Sequence, residues 1–215
     1  MEQRVDAGAD EALALARETI RQDAAAVLAA VDAVGDGFAR AVELLFACRG
    51  KAVVTGMGTS GATAQRIAHL LAVGGTPAFF AHPADGLHGG LGAVTEQDVV
   101  LAISKGGESA ELNAYVERAK GRGAQAVAMT AEPASTLAGL ADATILVRTP
   151  IEADPGGMIA MGSALANCAV GDALVVALMH LRQYPWQSFE FTHPGGAVGR
   201  AIAERARAGG ETGGA

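Results

Sequence analysis

A chain of 215 residues is long enough for one sizeable hydrophobic core and short for two. Half of its residues are apolar but only 4% are aromatic, so small aliphatic side chains must fill the core, as in helices layered on a sheet. The formal net charge of −7 argues against a nucleic-acid-binding protein, which would carry a basic stripe. The short basic clusters at 118–122 and 200–207 are typical of solvated helix faces.

Cysteine usage and the amino terminus predict a cytoplasmic protein without a membrane segment. Cys48 and Cys168 lie far apart and lack metal-ligand spacing, as expected of two buried thiols in a reducing compartment. Residues 1–10 are polar and acidic, unlike a signal peptide. No uninterrupted apolar run reaches the roughly 18 residues that span a bilayer.

The first predicted elements are two helices over residues 9–48. Leu13, Ile20 and Val27 recur near the 3.6-residue period until the run is interrupted at 35–37. The apolar stripe of this N-terminal helical extension must pack on the main sheet or on a second subunit.

From residue 49 onward, short apolar strands alternate with helices. The strands are predicted at 51–55, 77–81, 98–104, 125–130 and 143–148, and the helices at 60–73, 109–122, 134–141 and 162–181, with a last short one reaching 208. Such alternation predicts right-handed βαβ units, and hence an α/β sandwich whose five-stranded, mainly parallel sheet is covered on both faces. Residues 1–215 are predicted to form a single domain, with an α/β core over 49–208 and a disordered glycine-rich tail at 209–215.

A glycine-rich loop follows the first predicted strand. Gly56, Gly58 and Gly61 match the G-x-G-x-x-G pattern of dinucleotide-binding proteins, between a strand and a helix. That class also needs an acidic residue at the end of the second strand, and the nearest acid, Asp85, lies beyond it. A phosphate-sized anion bound by Ser60 and the helix N-terminus fits better, and no cofactor is predicted.

A second loop of the same chemistry spans 104–109. Ser104, Ser109, free backbone N–H groups and a helix dipole predict that it holds a phosphate. The alternative is an ordinary helix N-terminus, with Glu108 in the first turn where acids are favoured.

Motifs along residues 10–205 resemble the sugar isomerase (SIS) domain family, and within it the D-arabinose-5-phosphate isomerase type. The matching stretches are 53–58, 82–85, 88–89, 91–92, 97–100, 102–104, 107–109, 171–174 and 188–199, the last centred on His193–Ala197. The resemblance implies a flavodoxin-like, nucleotide-binding type of sheet, a dimer or homotetramer with active sites near subunit interfaces, and aldose–ketose isomerisation without metal or redox cofactor. Many isomerases of this type carry a C-terminal pair of regulatory CBS domains, and this chain is interpreted as the stand-alone form without them.

Site residues are implied by position within the resemblance. Glu152 is the hypothesised proton-shuttling base, and His193 opens the sugar ring or moves protons between oxygens. Glu108 orients hydroxyls or a partner side chain, and His88 matches a histidine near the pocket. The hypothesised phosphate-binding set is Gly58, Thr59, Ser60, Ser104, Lys105, Gly107 and Ser109.

Four departures from the family pattern leave alternatives open. Thr59 stands where the family has lysine, Lys105 is an added cation, Gly106 replaces a serine, and 158–163 is more apolar than the family's Ser/Thr-rich segment. The chain is therefore interpreted as an arabinose-5-phosphate isomerase-like enzyme, as an isomerase of another phosphorylated sugar or sugar acid, or as a non-catalytic phosphosugar sensor. His82, Asp85 and His88 lack a recognised metal-ligand spacing, and no metal site is predicted.

Overall fold

The computed structural model describes residues 2–196 and 199–202. Five strands form one sheet: β1 Ala52–Gly56, β2 Ala78–Phe80, β3 Val99–Ile103, β4 Gln125–Thr130 and β5 Ala143–Leu146. Their order is β2-β1-β3-β4-β5, and every neighbouring pair is parallel. The predicted α/β class and five-stranded sheet are confirmed, and the strand bounds differ from the prediction by no more than two residues at either end.

Eight α-helices, all of them before residue 193, accompany the strands in the part of the chain that the structure describes. They are α1 Glu2–Ala29, α2 Asp36–Ala47, α3 Gly58–Val73, α4 Pro83–Leu87, α5 Ala110–Gly121, α6 Thr136–Leu140, α7 Gly162–Leu181 and α8 Trp186–Thr192. Residues 199–202 are helical, as expected for the start of the last short helix. The rest of that helix and the predicted tail at 209–215 lie outside the described residues.

Two hydrophobic clusters cover the two faces of the sheet. On one face α2, α3 and α7 pack on the strands, with Leu45, Ile67 and Leu174 buried among them. On the other face α5 and α6 pack with Leu112 and Tyr115 fully buried. Helix α1 lies outside α7 as a further layer, so within the N-terminal extension α1 packs on a helix, whereas α2 packs directly on the sheet.

Helix α7 combines length with high hydropathy. Its 20 residues include a window of mean hydropathy 1.7, and by length and composition it is the one helix among residues 2–196 and 199–202 that could cross a bilayer. A strict search for apolar runs misses it because Asn167 and Asp172 interrupt the sequence. Packing accounts for part of this composition, since Leu174 and Leu178 are fully buried against the sheet, whereas Val176 on the same helix is exposed.

Candidate functional site

The sheet has one point where the direction of chain winding reverses, between β1 and β3. Gly56 at the end of β1 lies beside Ile103 at the end of β3. The following helices go to opposite faces, α3 to one and α5 to the other. The loops after the two strands therefore separate and leave a crevice, which is where open parallel sheets bind ligands.

The loop after β1 brings the first turn of α3 to this crevice. Gly58 opens the helix with φ of +53°, followed by Thr59, which is exposed, and Ser60, which is half-buried. A Cβ on Gly56 would come within 2.8 Å of the Ser60 carbonyl oxygen, and one on Gly61 equally close to the Gly56 carbonyl oxygen. The glycine pattern thus serves the close packing of α3 on β1, and the N–H groups of the first helical turn are left for an anion.

The loop after β3 is fixed by its own hydrogen bonds. The buried Ser104 hydroxyl accepts the Gly107 N–H at 3.1 Å, and the Asn113 side-chain amide donates to the Gly107 carbonyl at 3.0 Å. Gly107 has φ of +69°, a conformation that favours glycine. Ser109 begins α5 without a capping bond from its side chain. Ser104 and Gly107 therefore shape the loop, whereas the Ser109 hydroxyl is available to a ligand.

Lys105 contacts a partner that the sequence did not indicate. Its Nζ lies 2.6 Å from Oδ2 of Asp154, a carboxylate that is 1% exposed. Burial would raise the pKa of Asp154, but Lys105, Ser163 and the Met161 N–H outweigh it and lower the pKa to about 2. The cation hypothesised to attract phosphate is thus paired with an acid 49 residues away in the sequence.

Glu108 is exposed at the end of the same loop and is bound to another element. Its Oε1 accepts the Thr136 N–H at 2.8 Å and its Oε2 accepts the Thr136 hydroxyl at 2.7 Å. These two bonds hold the pKa of Glu108 below its usual range. Glu108 therefore stabilises the start of α6, and the acid in the first turn of α5 is Glu111, which the sequence analysis did not consider.

Glu152 lies in the loop that leads from β5 to α7. It is exposed, in a short 3₁₀ turn over Ile151–Ala153, two residues before Asp154. Because Asp154 pairs with Lys105, this loop is held against the β3–α5 loop at the carboxyl ends of the strands. Met158, at 85% exposed, and Ile159 follow in the same loop, and they supply the apolar surface that the sequence predicted.

His193 lies elsewhere in its own chain. It follows α8, and its Nδ1 is 2.9 Å from the Phe189 carbonyl oxygen while its ring stacks on the Phe189 ring. The preceding Thr192 lines a hollow with Lys51 and Pro77, at the amino ends of β1 and β2. Within one chain the structure therefore separates His193 from the loops that carry Glu152 and Ser109.

His88 lies on the connection between β2 and β3. It is exposed at the end of α4, which packs on α5, and its backbone N–H donates to the Ala84 and Asp85 carbonyls. Within residues 2–196 and 199–202, no three His, Cys, Asp or Glu side chains come together in a group that could hold a metal ion.

Comparisons with known proteins show the family of the chain. The SIS domain model matches residues 45–177. Arabinose 5-phosphate isomerase KdsD of Yersinia pestis is 42% identical over 172 residues, covering 80% of this chain and 52% of that protein. The Pseudomonas aeruginosa protein of the same name is 40% identical over 187 residues, covering 87% and 57%. The chain thus spans about half the length of the curated relatives it matches.

Among solved structures, an Escherichia coli CFT073 protein in complex with arabinose 5-phosphate superimposes with a TM-score of 0.82 and 33% identity. That match covers 86% of this chain and 98% of the other. The residues matched by the SIS domain model include β1, β3 and the loops at their carboxyl ends. On sequence and on structure, the chain belongs to the SIS domain family.

Proposed function

We propose that this chain is an aldose–ketose isomerase of a phosphorylated sugar, similar in activity to arabinose 5-phosphate isomerase. One observation carries the proposal: the Lys105–Asp154 pair holds the loop of Glu152 against the β3–α5 loop, one of the two phosphate-type loops at the β1–β3 crevice. The relatives named arabinose 5-phosphate isomerase and the solved structure with bound arabinose 5-phosphate support the substrate class.

The reaction needs a base beside the carbon that lies next to the sugar carbonyl. Glu152 removes that proton, the enediolate forms, and the same carboxyl returns the proton to the neighbouring carbon, while the hydroxyl proton passes from the C2 oxygen to the C1 oxygen. The phosphate is held by N–H groups at the starts of α3 and α5 and by the hydroxyls of Thr59, Ser60 and Ser109. These steps require no metal or redox cofactor.

Thr59 and the apolar loop bear on which sugar is bound. A hydroxyl in place of an ammonium leaves the phosphate to neutral donors, since Lys105 is already paired with Asp154. Met158 and Ile159 present apolar surface where a sugar hydroxyl would find no partner. We therefore include phosphorylated sugars other than arabinose 5-phosphate in the substrate class.

Self-association is part of the proposal because His193 is distant from Glu152 within one chain. A dimer or tetramer would bring His193 of one copy to the site of another, where it could open the sugar ring. Support comes from an open apolar hollow of about 670 Å³ between α1 and α7, which is lined by Ile20, Val27 and Leu28 of α1 and by Leu165 of α7.

We also propose that residues 1–215 act as one domain in the cytoplasm, where Cys48 and Cys168 stay as free thiols.

A panel of aldose and ketose phosphates in deuterated solvent, followed by NMR, tests this function. Interconversion with deuterium incorporated at C1 or C2 is the expected result. If calorimetry detects binding of a sugar phosphate but NMR detects neither deuterium exchange nor interconversion, the isomerase proposal is wrong and the chain is a sensor.

A further inference from the structure

The β5–α7 loop is anchored at one buried carboxylate. Oδ1 of Asp154 accepts the Met161 N–H at 2.8 Å and the Ser163 N–H at 3.1 Å. These bonds close residues 154–163 onto the first turn of α7, which packs in the core. Because Glu152 lies only two residues before Asp154, the bonds of Asp154 also restrict the position of the Glu152 backbone.

The other oxygen of Asp154 faces a different loop. Lys105, whose Nζ it binds at 2.6 Å, is fixed at its own carbonyl, which accepts the Ala131 N–H at 2.9 Å and the Thr130 hydroxyl at 3.0 Å. Lys105 is thus held by β4 at its backbone and by Asp154 at its ammonium. The pair is a direct link between the β5–α7 loop and the β3–α5 loop.

The side chains of Lys105 and Asp154 are buried to different extents, and this difference favours a persistent ion pair. The Asp154 side chain is 1% exposed, whereas that of Lys105 is 40% exposed, at the rim of the crevice. A buried carboxylate that loses its cation is strongly unfavourable, so Lys105 is constrained to stay where it meets Asp154. A lysine held in this way is a poor ligand for a phosphate that comes and goes.

We propose that Lys105 and Asp154 are positioning residues that set where Glu152 stands relative to the bound sugar phosphate; the inference rests on the isomerase function proposed above. Lys105 acts on the reaction through the loop of Glu152 and not as a ligand of the phosphate. A base must stand within hydrogen-bond reach of the proton it removes, and a displacement of about 1 Å can lower the rate about 10²-fold.

Steady-state kinetics separate positioning from phosphate binding. Lys105→Met and Asp154→Asn are expected to lower kcat roughly ten- to a hundredfold, with KM for the sugar phosphate changed by less than about twofold. Lys105→Arg keeps the charge and recovers most of the rate. The matched control is Lys120→Met, which removes another 2.6 Å pair, with Asp142 just before β5, and leaves both constants unchanged.

Amide hydrogen exchange gives a readout that does not depend on activity. In Lys105→Met and Asp154→Asn, exchange across residues 151–163 is expected to rise, with the Met161 and Ser163 amides included. Lys105→Arg and Lys120→Met should match the wild type. A circular dichroism melt of each variant identifies any that fails to fold. If Asp154→Asn does not fold, the comparison of Lys105→Met with Lys105→Arg is sufficient to test the positioning role.

The possible failures are distinguishable. Wild-type protein that turns over no sugar phosphate overturns the proposed function, and this inference with it. An active wild type whose Lys105→Met variant keeps its kcat, or keeps wild-type exchange across 151–163, overturns the positioning role alone. A KM that rises at least tenfold with unchanged kcat would make Lys105 a phosphate ligand, which also overturns it.

Discussion

Glu108 and Glu152 are both exposed acids beside the crevice, yet their surroundings differ. Both oxygens of Glu108 accept hydrogen bonds from Thr136, and its pKa is held low. Glu152 makes no such bond among the described residues, so its oxygens are available to a substrate. A carboxylate stabilised in its charged form is a weaker base, so Glu152 is the better candidate to take a proton.

Glu152→Gln tests that assignment. The amide keeps the shape of the side chain but accepts no proton, so we expect kcat to fall roughly 10²–10⁴-fold with KM little changed. NMR detection of deuterium incorporation measures the effect. Glu43→Gln, an exposed acid on α2 that pairs with Arg40, is the control and should be fully active. A Glu152→Gln enzyme with normal exchange would move the role to another acid, with Glu111 next to be substituted.

Neither the Lys105–Asp154 pair nor the position of His193 could be predicted at the residue scale. The pair joins residues 49 apart in the sequence, and only the path of the β5–α7 loop makes them meet. His193 was placed in the site by motif alone, whereas α8 carries it to the amino end of the sheet. Sequence patterns indicate the local chemistry of a segment, whereas contacts between side chains on different loops depend on tertiary packing.

At the scale of elements, prediction succeeded where apolar runs were long. β1 and β3 are buried at every position, and the apolar runs at 52–54 and 99–103 marked them. The sequence analysis did not place helices at α4 and α8, which have five and seven residues, although it placed α6, which also has five. The loops after β1 and β3 were predicted because glycine and serine at a strand end have a defined backbone role.

Gly107→Ala tests how rigid the β3–α5 loop must be. Alanine is strained at φ of +69°, and its Cβ would overlap the Ser135 side chain. We expect a loss of about 1–3 kcal/mol in the free energy of unfolding, together with weaker binding of sugar phosphate. Urea unfolding and calorimetry measure the two. Gly106→Ala, next to it in open space, is the matched control and should change the free energy by less than about 0.5 kcal/mol. Equal effects at both positions would contradict the role given to Gly107.

At the scale of the whole molecule, α1 leaves a broad apolar surface uncovered. Its inner side packs on α7, while Ile20 and Leu28 remain 69% and 72% exposed. Contiguous apolar surface of this kind is typical of a subunit interface. The sequence predicted that the stripe packs on something, but it could not distinguish the two sides of the helix.

Leu28→Glu is expected to lower the oligomeric state, because a buried unpaired carboxylate opposes association. Light scattering after size exclusion measures the mass. Glu117→Lys, a charge change on the exposed side of α5, should leave it unchanged. A wild-type protein that is monomeric at micromolar concentration would contradict the proposed assembly.

Three ion pairs with aspartates link separate parts of the sheet, and together they predict an acid transition. Asp98, Asp142 and Asp154 pair with lysines, and their pKa values are lowered in the folded chain. A lowered pKa contributes stability that is fully present above the ordinary aspartate pKa of about 3.9. That stability is lost as the pH falls through the folded values, the lowest of which is about 2 for Asp154.

Urea unfolding at pH 7, 4 and 2.5 measures this transition. We expect a free energy of unfolding that is nearly constant from pH 7 to about 5 and falls steeply below about 4. Asp98, whose buried carboxylate accepts four hydrogen bonds from Lys51 and Thr95, is expected to contribute part of the slope. An Asp98→Asn variant should therefore be less stable at pH 7 and lose less on acidification. A wild type equally stable at pH 7 and 2.5 would contradict this account.

The Lys105–Asp154 pair also has a consequence for how such proteins diverge. Loss of the lysine alone would leave the buried Asp154 carboxylate without a cation. Loss of the aspartate alone would leave the Lys105 ammonium unpaired and the Ser163 N–H of α7 without its acceptor. Either single change is therefore disfavoured, while a joint change to two neutral residues is tolerated. In an alignment of related chains we expect positions 105 and 154 to covary, so that both residues are charged or both are neutral.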